Sequence, residues 1–172
     1  MDSKLAVSVA VALLAACASV PPEPLRATAH LQPTKGSKTS GEATFEQVGG
    51  KIHVLVVVQG LKPGQEHGLH IHEVGDCSSG DGMSTKGHFN PYGKPHAHSG
   101  TPERHAGDLP ALKAGKDGRA KVDAMLDIIT LAAGPGSIVG RGLIVHADPD
   151  DYKTQPTGNA GARIACGVIR PG

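Results

Sequence analysis

The chain alternates apolar and polar residues in short runs. Residues 26–31 (RATAHL) and 42–48 (EATFEQV) both show the period of two that is typical of a half-buried strand. The dipeptide Gly49-Gly50 is a two-residue turn signal that leads into residues 51–61 (KIHVLVVVQGL). These segments predict three consecutive antiparallel strands.

The same pattern predicts five more short strands, at residues 66–74, 109–114, 119–126, 138–146 and 162–169. No segment shows a convincing helical period, and no internal repeat is present. The expected fold is therefore all-β, an eight-stranded antiparallel Greek-key barrel or sandwich of immunoglobulin-like type. Two stretches without periodicity, residues 75–108 and residues 147–160, become long loops. A loop as long as the first is unusual unless it has a function or something orders it.

Composition sets the size and class of the protein. The chain has 172 residues, which is enough for one domain, and it contains 24 glycines, 13 prolines, two phenylalanines and two tyrosines. Such a composition favours many turns around a core of aliphatic side chains. The formal net charge is only +1, so nothing in the charge balance indicates nucleic acid or an anionic membrane surface as a partner.

The N-terminus has the features of a secretion signal. Residues 5–16 (LAVSVAVALLAA) form a 12-residue apolar run after Lys4, which is too short to span a bilayer. The run ends in LAAC, which resembles the lipobox of bacterial lipoproteins, in which cleavage before the cysteine leaves that residue carrying the lipid. The predicted organisation is a signal peptide at residues 1–16, a lipidated tether from Cys17 to residue 25, and one domain at residues 26–172.

Two points about this segment follow from the lipobox resemblance. Ala18 follows Cys17, and the absence of an aspartate there implies the outer membrane, with the domain in the periplasm. Membrane contact would then occur only through the N-terminal lipid. An ordinary cleaved signal without lipid is the alternative.

The three cysteines fit an oxidising compartment. If Cys17 carries lipid, Cys77 and Cys166 remain as a single pair, which outside the cytoplasm is most simply a disulfide. Closing a loop of about 90 residues would stabilise the fold by on the order of 4 kcal/mol. The alternative is two reduced, buried thiols.

Histidines cluster in one part of the chain. His70 and His72 (HIH) are alternate residues of a predicted strand, so their side chains share a face. Chance, a structural hydrogen-bonded pair and a metal site are three competing interpretations of this pair alone. The segment at residues 86–109 and the end of a later strand favour the metal site, because imidazoles with one carboxylate suit zinc or copper. Ligation would also order the loop at residues 75–108, which we call the metal loop. These further candidates are His88, His96, His98, His105, Asp108 and His146.

Five segments carry a resemblance to a known family. GLHIHEVGDC, GHFNPYGKPH, ERHAGDLP, GRGLIVHADPDD and GNAGARIACGVI resemble, in order, the signature segments of the Cu/Zn superoxide dismutases, over residues 42–169. The resemblance is to the bacterial, secreted or lipoprotein type. It implies an antioxidant oxidoreductase that converts superoxide to dioxygen and hydrogen peroxide by alternating Cu(II) and Cu(I), with one copper and one structural zinc per subunit.

The resemblance also implies individual roles. The bridging His88 would serve both metals and carry a proton, Asp150 would link a copper ligand to a zinc ligand, and Arg163 would attract superoxide. The Cys77–Cys166 disulfide would tie the metal loop to the strand that carries Arg163. The implied copper ligands are His70, His72, His88 and His146, and the implied zinc ligands are His88, His96, His105 and Asp108.

Some alternatives stay open at this stage. A lipid-anchored copper or zinc binding or storage protein without turnover is the rival function, although the presence of Arg163 and all four copper-side histidines favours the enzyme. A homodimer is expected, with a monomer as the alternative. His67 corresponds to a structural histidine, and His98 is either a surface residue, which we expect, or an accessory ligand. We call the short loop at residues 147–160 the active-site loop. Few charges remain beside it to steer the anion, namely Asp151, Lys153 and Lys94.

Overall fold

The computed structural model describes Glu23 and residues 25–172. The predicted signal peptide, Cys17 and most of the tether lie outside the described residues. Within this part of the chain, no helix is long and apolar enough to cross a membrane.

The described residues form ten strands and one 3₁₀ turn, Met83–Thr85. The all-β prediction is confirmed, and the two additional strands are short segments that pair only over two residues. The strands are β1 (Arg26–Pro33), β2 (Ser40–Val48), β3 (Lys51–Gln59), β4 (Glu66–His67), β5 (Leu69–His72), β6 (Leu112–Lys113), β7 (Ala120–Leu126), β8 (Gly142–His146), β9 (Arg163–Val168) and β10 (Arg170–Pro171).

The strands build a curled, half-barrel sheet in the order β5-β8-β9-β1-β2-β3-β7, with β10 beside β1. Every pair of these strands is antiparallel, and β4 and β6 form a separate two-stranded sheet. Because β8 and β9 return to lie next to β5 and β1, strands that are distant in sequence become neighbours. This arrangement places the end of β8 against the strand that carries the HIH pair.

The β2–β3 hairpin shows how the sequence pattern produces the core. Val48 pairs with Lys51 across the predicted turn, and Gly49 has a φ of 57°, which glycine adopts without steric cost. Alternate residues of β3 point inward, so four of them are completely buried. These four are Ile52, Val54, Val56 and Val58.

Three predicted strands are wrong in their extent. The predicted strand at residues 66–74 is broken at Gly68, whose N–H donates to the carbonyl of Asp148 and whose own carbonyl accepts from His146. The predicted strand at residues 109–114 is reduced to β6. The predicted strand at residues 138–146 begins only at Gly142, because residues 138–141 form a turn in which the N–H of Arg141 donates to Ile138. Apolar residues there are buried without a ladder, so periodicity alone overestimated the strand.

Candidate metal centre

Two adjoining groups of buried side chains lie at one end of the curled sheet. Each group has four potential ligand atoms that all lie within 4.8 Å of one another, and His88 belongs to both groups. The structure therefore brings together the seven residues that the resemblance implied as metal ligands, and leaves out the eighth candidate, His98. The copper-side group is His70, His72, His88 and His146, and the zinc-side group is His88, His96, His105 and Asp108.

Strands position three of the copper-side histidines. His70 and His72 lie in β5, which pairs with β8 over four residues, and His146 ends β8 at a bulge. All three rings are at least 96 % buried. The intervening Ile71 points into the hydrophobic core. Two neighbouring antiparallel strands thus hold three imidazoles at fixed separations.

The metal loop is fastened along the free edge of β5. The N–H of Ile71 donates to the carbonyl of Gly107 at 2.9 Å, and the N–H of Phe89 donates to the carbonyl of Ile71 at 2.8 Å. Isolated bridges join His70 to Asp108 and His72 to His88. A Cβ atom at position 107 would clash with the Ile71 carbonyl, so this close backbone approach requires glycine.

Four ring nitrogens on the copper side converge without a hydrogen-bond partner among the described residues. Each is completely buried, and a buried polar atom without a hydrogen bond is costly, which indicates a missing partner. Neutral imidazole nitrogens are good ligands for a borderline cation such as copper, so the donor set fits that metal. The four atoms are His70 Nδ1, His72 Nε2, His88 Nε2 and His146 Nε2.

The opposite nitrogens of three of these rings are held by the protein, which orients the rings. His70 Nε2 lies 2.7 Å from the Asp150 carboxylate. His72 Nδ1 lies 2.8 Å from the carbonyl of Lys86, and His146 Nδ1 lies 3.3 Å from the carbonyl of Gly161. His88 is the exception, because its second nitrogen faces the zinc-side group. Its two ring nitrogens thus face the two groups.

The zinc-side group fits a tetrahedral cation. Asp108 Oδ1 lies 3.0 Å from His88 Nδ1, 3.0 Å from His96 Nδ1 and 3.5 Å from His105 Nδ1. Four ligands about 2.0 Å from a zinc ion would be separated by about 3.3 Å. The second oxygen of Asp108 accepts hydrogen bonds from the backbone N–H groups of Ala97 and His105, so the carboxylate is fixed in this orientation.

Asp150 connects the two groups. One carboxylate oxygen lies 2.7 Å from His70 Nε2, and the other lies 2.9 Å from His96 Nε2. The backbone N–H of Tyr152 also donates to this carboxylate, at 2.7 Å. Asp150 is 94 % buried and lies between a copper-side ring and a zinc-side ring.

The protonation of the metal-free site differs between its two halves. Burial, followed by repulsion from neighbouring imidazoles, lowers the pKa of His72 and of His146 well below the ordinary value. Burial also lowers the pKa of His88 to about 4, although its contact with Asp108 opposes the shift. These rings are therefore neutral at neutral pH, which is the form that binds metals.

His96 behaves in the opposite way. Burial by itself would lower its pKa, but the contacts with Asp108 and Asp150 outweigh burial and raise the pKa to about 9. Burial would raise the pKa of Asp108, yet its contacts with His105, His88 and His96 hold that pKa far below the usual range. In the metal-free protein a proton on His96 thus supplies positive charge beside Asp108, and metal binding would release it.

Arg163 extends from the start of β9 to the turn before His88. Its Nη1 donates to the carbonyl of Gly82 at 2.7 Å and to Thr85 Oγ1 at 2.9 Å, and its Nη2 donates to the carbonyl of Lys86 at 2.6 Å. The Lys86 carbonyl therefore serves both Arg163 and the copper-side ring of His72. Sequence reasoning missed Lys86, because it acts through its backbone.

The predicted disulfide is present between Cys77 and Cys166, with a Cα–Cα distance of 5.9 Å. The alternative of two reduced thiols is wrong. The bond joins the beginning of the metal loop to β9, three residues after Arg163. Covalent closure of this segment thus holds the turn that contacts Arg163 close to the strand that carries it.

The remaining histidines lie outside both groups. His67 Nδ1 lies 2.9 Å from the carbonyl of His146, which is a structural contact. The ring of His98 packs edge-on against Tyr152 with centroids 4.8 Å apart. His53 is a surface residue 2.8 Å from Asp123, and His30 is also exposed.

A glycine in the active-site loop is a further requirement of the site. Gly158 has a φ of 66°, and a Cβ atom there would collide with the Asp150 carboxylate and with the ring of His96. The GNAG motif could have indicated this residue, since glycines beside a ligand cluster often mark a close approach of backbone.

A cavity of about 730 Å³ lies away from both groups and includes none of the seven residues. Its charged side chains are largely paired, Arg104 with Asp127 and Lys113 with Glu66.

Comparisons with known proteins agree with this geometry. A family model described as copper/zinc superoxide dismutase (SODC) matches residues 39–169. Two proteins of Aquifex aeolicus (strain VF5), superoxide dismutase [Cu-Zn] 2 and superoxide dismutase [Cu-Zn] 1, are 40 % and 37 % identical over 150 residues. These alignments cover 85 % of this chain and 87 % and 88 % of the two relatives.

A solved structure, described as that of the clock protein EA4, superposes with a TM-score of 0.78 at 42 % identity. The match covers 87 % of this chain and 96 % of that one. Fold, ligand chemistry and sequence identity thus point the same way, and the chain belongs to the copper/zinc superoxide dismutase family.

Proposed function

We propose that this protein is a Cu/Zn superoxide dismutase that removes superoxide as an antioxidant defence. The observation that carries the proposal is the convergence of four buried, unpartnered imidazole nitrogens beside a second buried group that shares His88. A site for one metal alone would not need a histidine with both nitrogens committed to ligand groups.

The proposed roles follow the donor chemistry. Copper would be held by the copper-side group and zinc by the zinc-side group. When bound, copper would supply one-electron chemistry, in which one superoxide is oxidised to dioxygen and a second takes up one electron and two protons to become hydrogen peroxide. Three histidines with one carboxylate leave no open position, as expected for a structural zinc ion.

The chain itself contributes anion binding and proton positioning. Arg163 uses three of its five N–H donors on the metal loop, so its guanidinium is held rigidly while two donors remain for a small anion. Within residues 25–172, His88 Nε2 has no hydrogen-bond partner and faces the copper-side group, so it is the atom that can hold a proton and donate it to the product. Asp150 fixes the ring orientations of His70 and His96.

A metal-storage protein would also need the ligands, but it would not need Arg163. The decisive experiment loads residues 18–172 with copper and zinc, and measures superoxide removal beside metal content. We expect stoichiometric metals with rapid turnover, and Arg163→Ala should keep both metals while losing most of the rate. Stoichiometric metals without turnover in the parent would favour storage.

We also propose that the mature protein is anchored to the outer membrane, facing the periplasm, through a lipid on Cys17. Supporting this, the disulfide accounts for the other two cysteines and leaves Cys17 as the third. Cys17→Ser should release the protein from the membrane fraction, whereas unchanged retention would contradict the proposal. A homodimer is the expected assembly, and light scattering of the purified protein would distinguish it from a monomer.

A further inference from the structure

The active-site loop holds the zinc-side residue His96 through its backbone as well as its ring. The side-chain amide of Gln155 makes two hydrogen bonds with His96. The backbone N–H of His96 donates to Gln155 Oε1 at 2.8 Å, and Gln155 Nε2 donates to the carbonyl of His96 at 2.8 Å. One side chain thus satisfies both backbone groups of a residue in the metal site.

Only an amide in one orientation can form this pair. The amide oxygen must face the N–H and the amide NH₂ must face the carbonyl, so a reversed amide would lose both bonds. A carboxylate of the same length could accept from the N–H but could not donate to the carbonyl. A methionine, which has a similar length, could form neither bond.

The loop presents Gln155 from an ordered turn. Asp151 Oδ1 accepts from the backbone N–H groups of Lys153 and Thr154, at 2.9 and 2.8 Å, and Asp151 Oδ2 accepts from the Thr154 hydroxyl at 2.6 Å. Gln155 Nε2 also reaches the carbonyl of Lys153, at 3.3 Å. The ordered turn therefore fixes the backbone from which the Gln155 side chain reaches His96.

His96 needs this support more than the other ligands do. Backbone hydrogen bonds fasten the metal loop to β5 near residues 87–89 and 107–109, but His96 lies between these segments and outside any strand. In the part of the chain that the structure describes, Gln155 is the partner of both backbone groups of His96. The backbone of His96 decides whether Nδ1 faces Asp108 while Nε2 faces Asp150.

We propose that Gln155 is a positioning residue for the zinc site, which fixes the backbone of His96 so that its ring nitrogen points at the metal. This inference rests on the proposed function, because it takes His96 as a zinc ligand. Its consequence is that the active-site loop controls zinc retention by two contacts, Asp150 on the ring and Gln155 on the backbone.

The test uses the mature protein loaded with copper and zinc, and compares Gln155→Met and Gln155→Glu with the parent. Gln59→Met is the matched control, since the exposed amide of Gln59 reaches only Ser40 Oγ, at 3.4 Å. Two readouts are the rate of zinc transfer to a chromogenic chelator and the visible spectrum of Co²⁺ placed in the zinc site.

We expect about tenfold faster zinc release for Gln155→Met, as for other residues that orient metal ligands, with altered Co²⁺ bands. Gln155→Glu should lie between this variant and the parent, and Gln59→Met should match the parent.

Parent-like zinc release and Co²⁺ bands in Gln155→Met would overturn the inference, and so would a lowered melting temperature with both readouts unchanged. If Gln155→Met does not fold, Gln155→Glu decides alone, and parent-like behaviour there overturns the inference. A parent that holds no zinc would overturn the proposed function and this inference together. A parent that binds zinc and removes superoxide, with unaffected variants, would overturn only this inference.

Discussion

The two halves of the site are supplied by different kinds of structure. On the copper side, His70, His72 and His146 stand on β5 and β8, which pair through continuous backbone hydrogen bonds. On the zinc side, His96 and the other residues come from the metal loop, which touches β5 only through a few bonds and isolated bridges. His88 and Asp150 are the residues that join the halves.

This difference separates what the fold preforms from what depends on further contacts. The sheet alone fixes the copper-side strands, because their backbones and the core beneath them are paired and buried. The zinc-side ligands need the Asp108 carboxylate, the contacts from the active-site loop and, in the loaded protein, the metal itself. Changes at the joining residues should therefore have the largest effects, and changes on only one side should have smaller ones.

Replacing His88 should have the largest effect, because His88→Ala removes a ligand from both groups. We expect superoxide removal to fall to background and zinc content to fall with it, while the strand-borne histidines keep part of the copper binding. Metal analysis and a superoxide assay on the same preparation provide the measurement. His53→Ala, on the exposed face of β3, is the control and should behave as the parent. Full activity in His88→Ala would contradict a bridging role.

Asp150→Asn should weaken both sides without removing a ligand. The amide keeps the size of the carboxylate, but it cannot accept from both rings, so the orientations of His70 and His96 are no longer fixed together. Loss of such a partner typically lowers metal affinity by about 10- to 100-fold. Competition with a chelator should show this for zinc and copper. Asp123→Asn, which removes an exposed carboxylate, should leave both affinities unchanged, and equal effects of the two variants would refute the role.

The stability of the metal-free protein should depend on pH through both halves. His72, His88 and His146 have folded-state pKa values below the unfolded value of about 6.5, so the unfolded chain takes up more protons and stability falls as the pH drops through this range. His96 has a pKa of about 9, above its unfolded value, so its contribution is complete below about pH 6.5 and is lost as the pH rises through 9.

A maximum in melting temperature near pH 6.5 follows, with a decrease of several degrees on each side. The decrease should be larger on the acid side, where three histidines take up protons on unfolding, than on the alkaline side, where only His96 contributes. Thermal unfolding of the chelator-treated protein between pH 5 and pH 9.5 measures it. Bound zinc should abolish the decrease in melting temperature above pH 6.5, because the metal replaces the proton beside Asp108. A melting temperature that only rises with pH would show that His96 does not hold this proton.

Much of this organisation was accessible from the sequence, for physical reasons. A period of two places His70 and His72 on one face of any strand, and ligands such as His96 and Asp108 are identifiable because metal chemistry restricts residue type. The all-β fold, the disulfide and the copper/zinc family are confirmed. The roles of individual ligands stay predictions that the experiments above address.

Contacts made by the backbone were not accessible in this way. Any residue at position 86 would supply the same backbone carbonyl, so the residue type there gives no indication of this contact. The break at Gly68 depends on Asp148, which is distant in sequence, and apolar periodicity does not register it. The two bonds between Gln155 and His96 likewise depend on how two loops meet, which no local pattern describes.

The smallest expected effect concerns Lys86, whose carbonyl joins the copper-side ring of His72 to Arg163. Its φ of 62° is unfavourable for a residue with a Cβ atom. Lys86→Gly relieves this strain but makes the unfolded chain more flexible, so the melting temperature should rise by no more than about 2 °C. Because the carbonyl remains in place, metal content should not change.

The same substitution removes a positive charge two residues before His88, and Lys86→Gln separates this effect from that of the backbone. Both variants should remove superoxide more slowly than the parent at low ionic strength, by a factor of less than about three. Their rates should also depend less on salt concentration, because the family is known for electrostatic steering. Lys86→Gln should not gain stability, since its backbone keeps the same positive φ. Rates at several salt concentrations, beside thermal unfolding, test both effects. If the two variants had the same stability, backbone strain at this position would be negligible. If their rates of superoxide removal matched the rate of the parent at all salt concentrations, the Lys86 charge would not steer the anion.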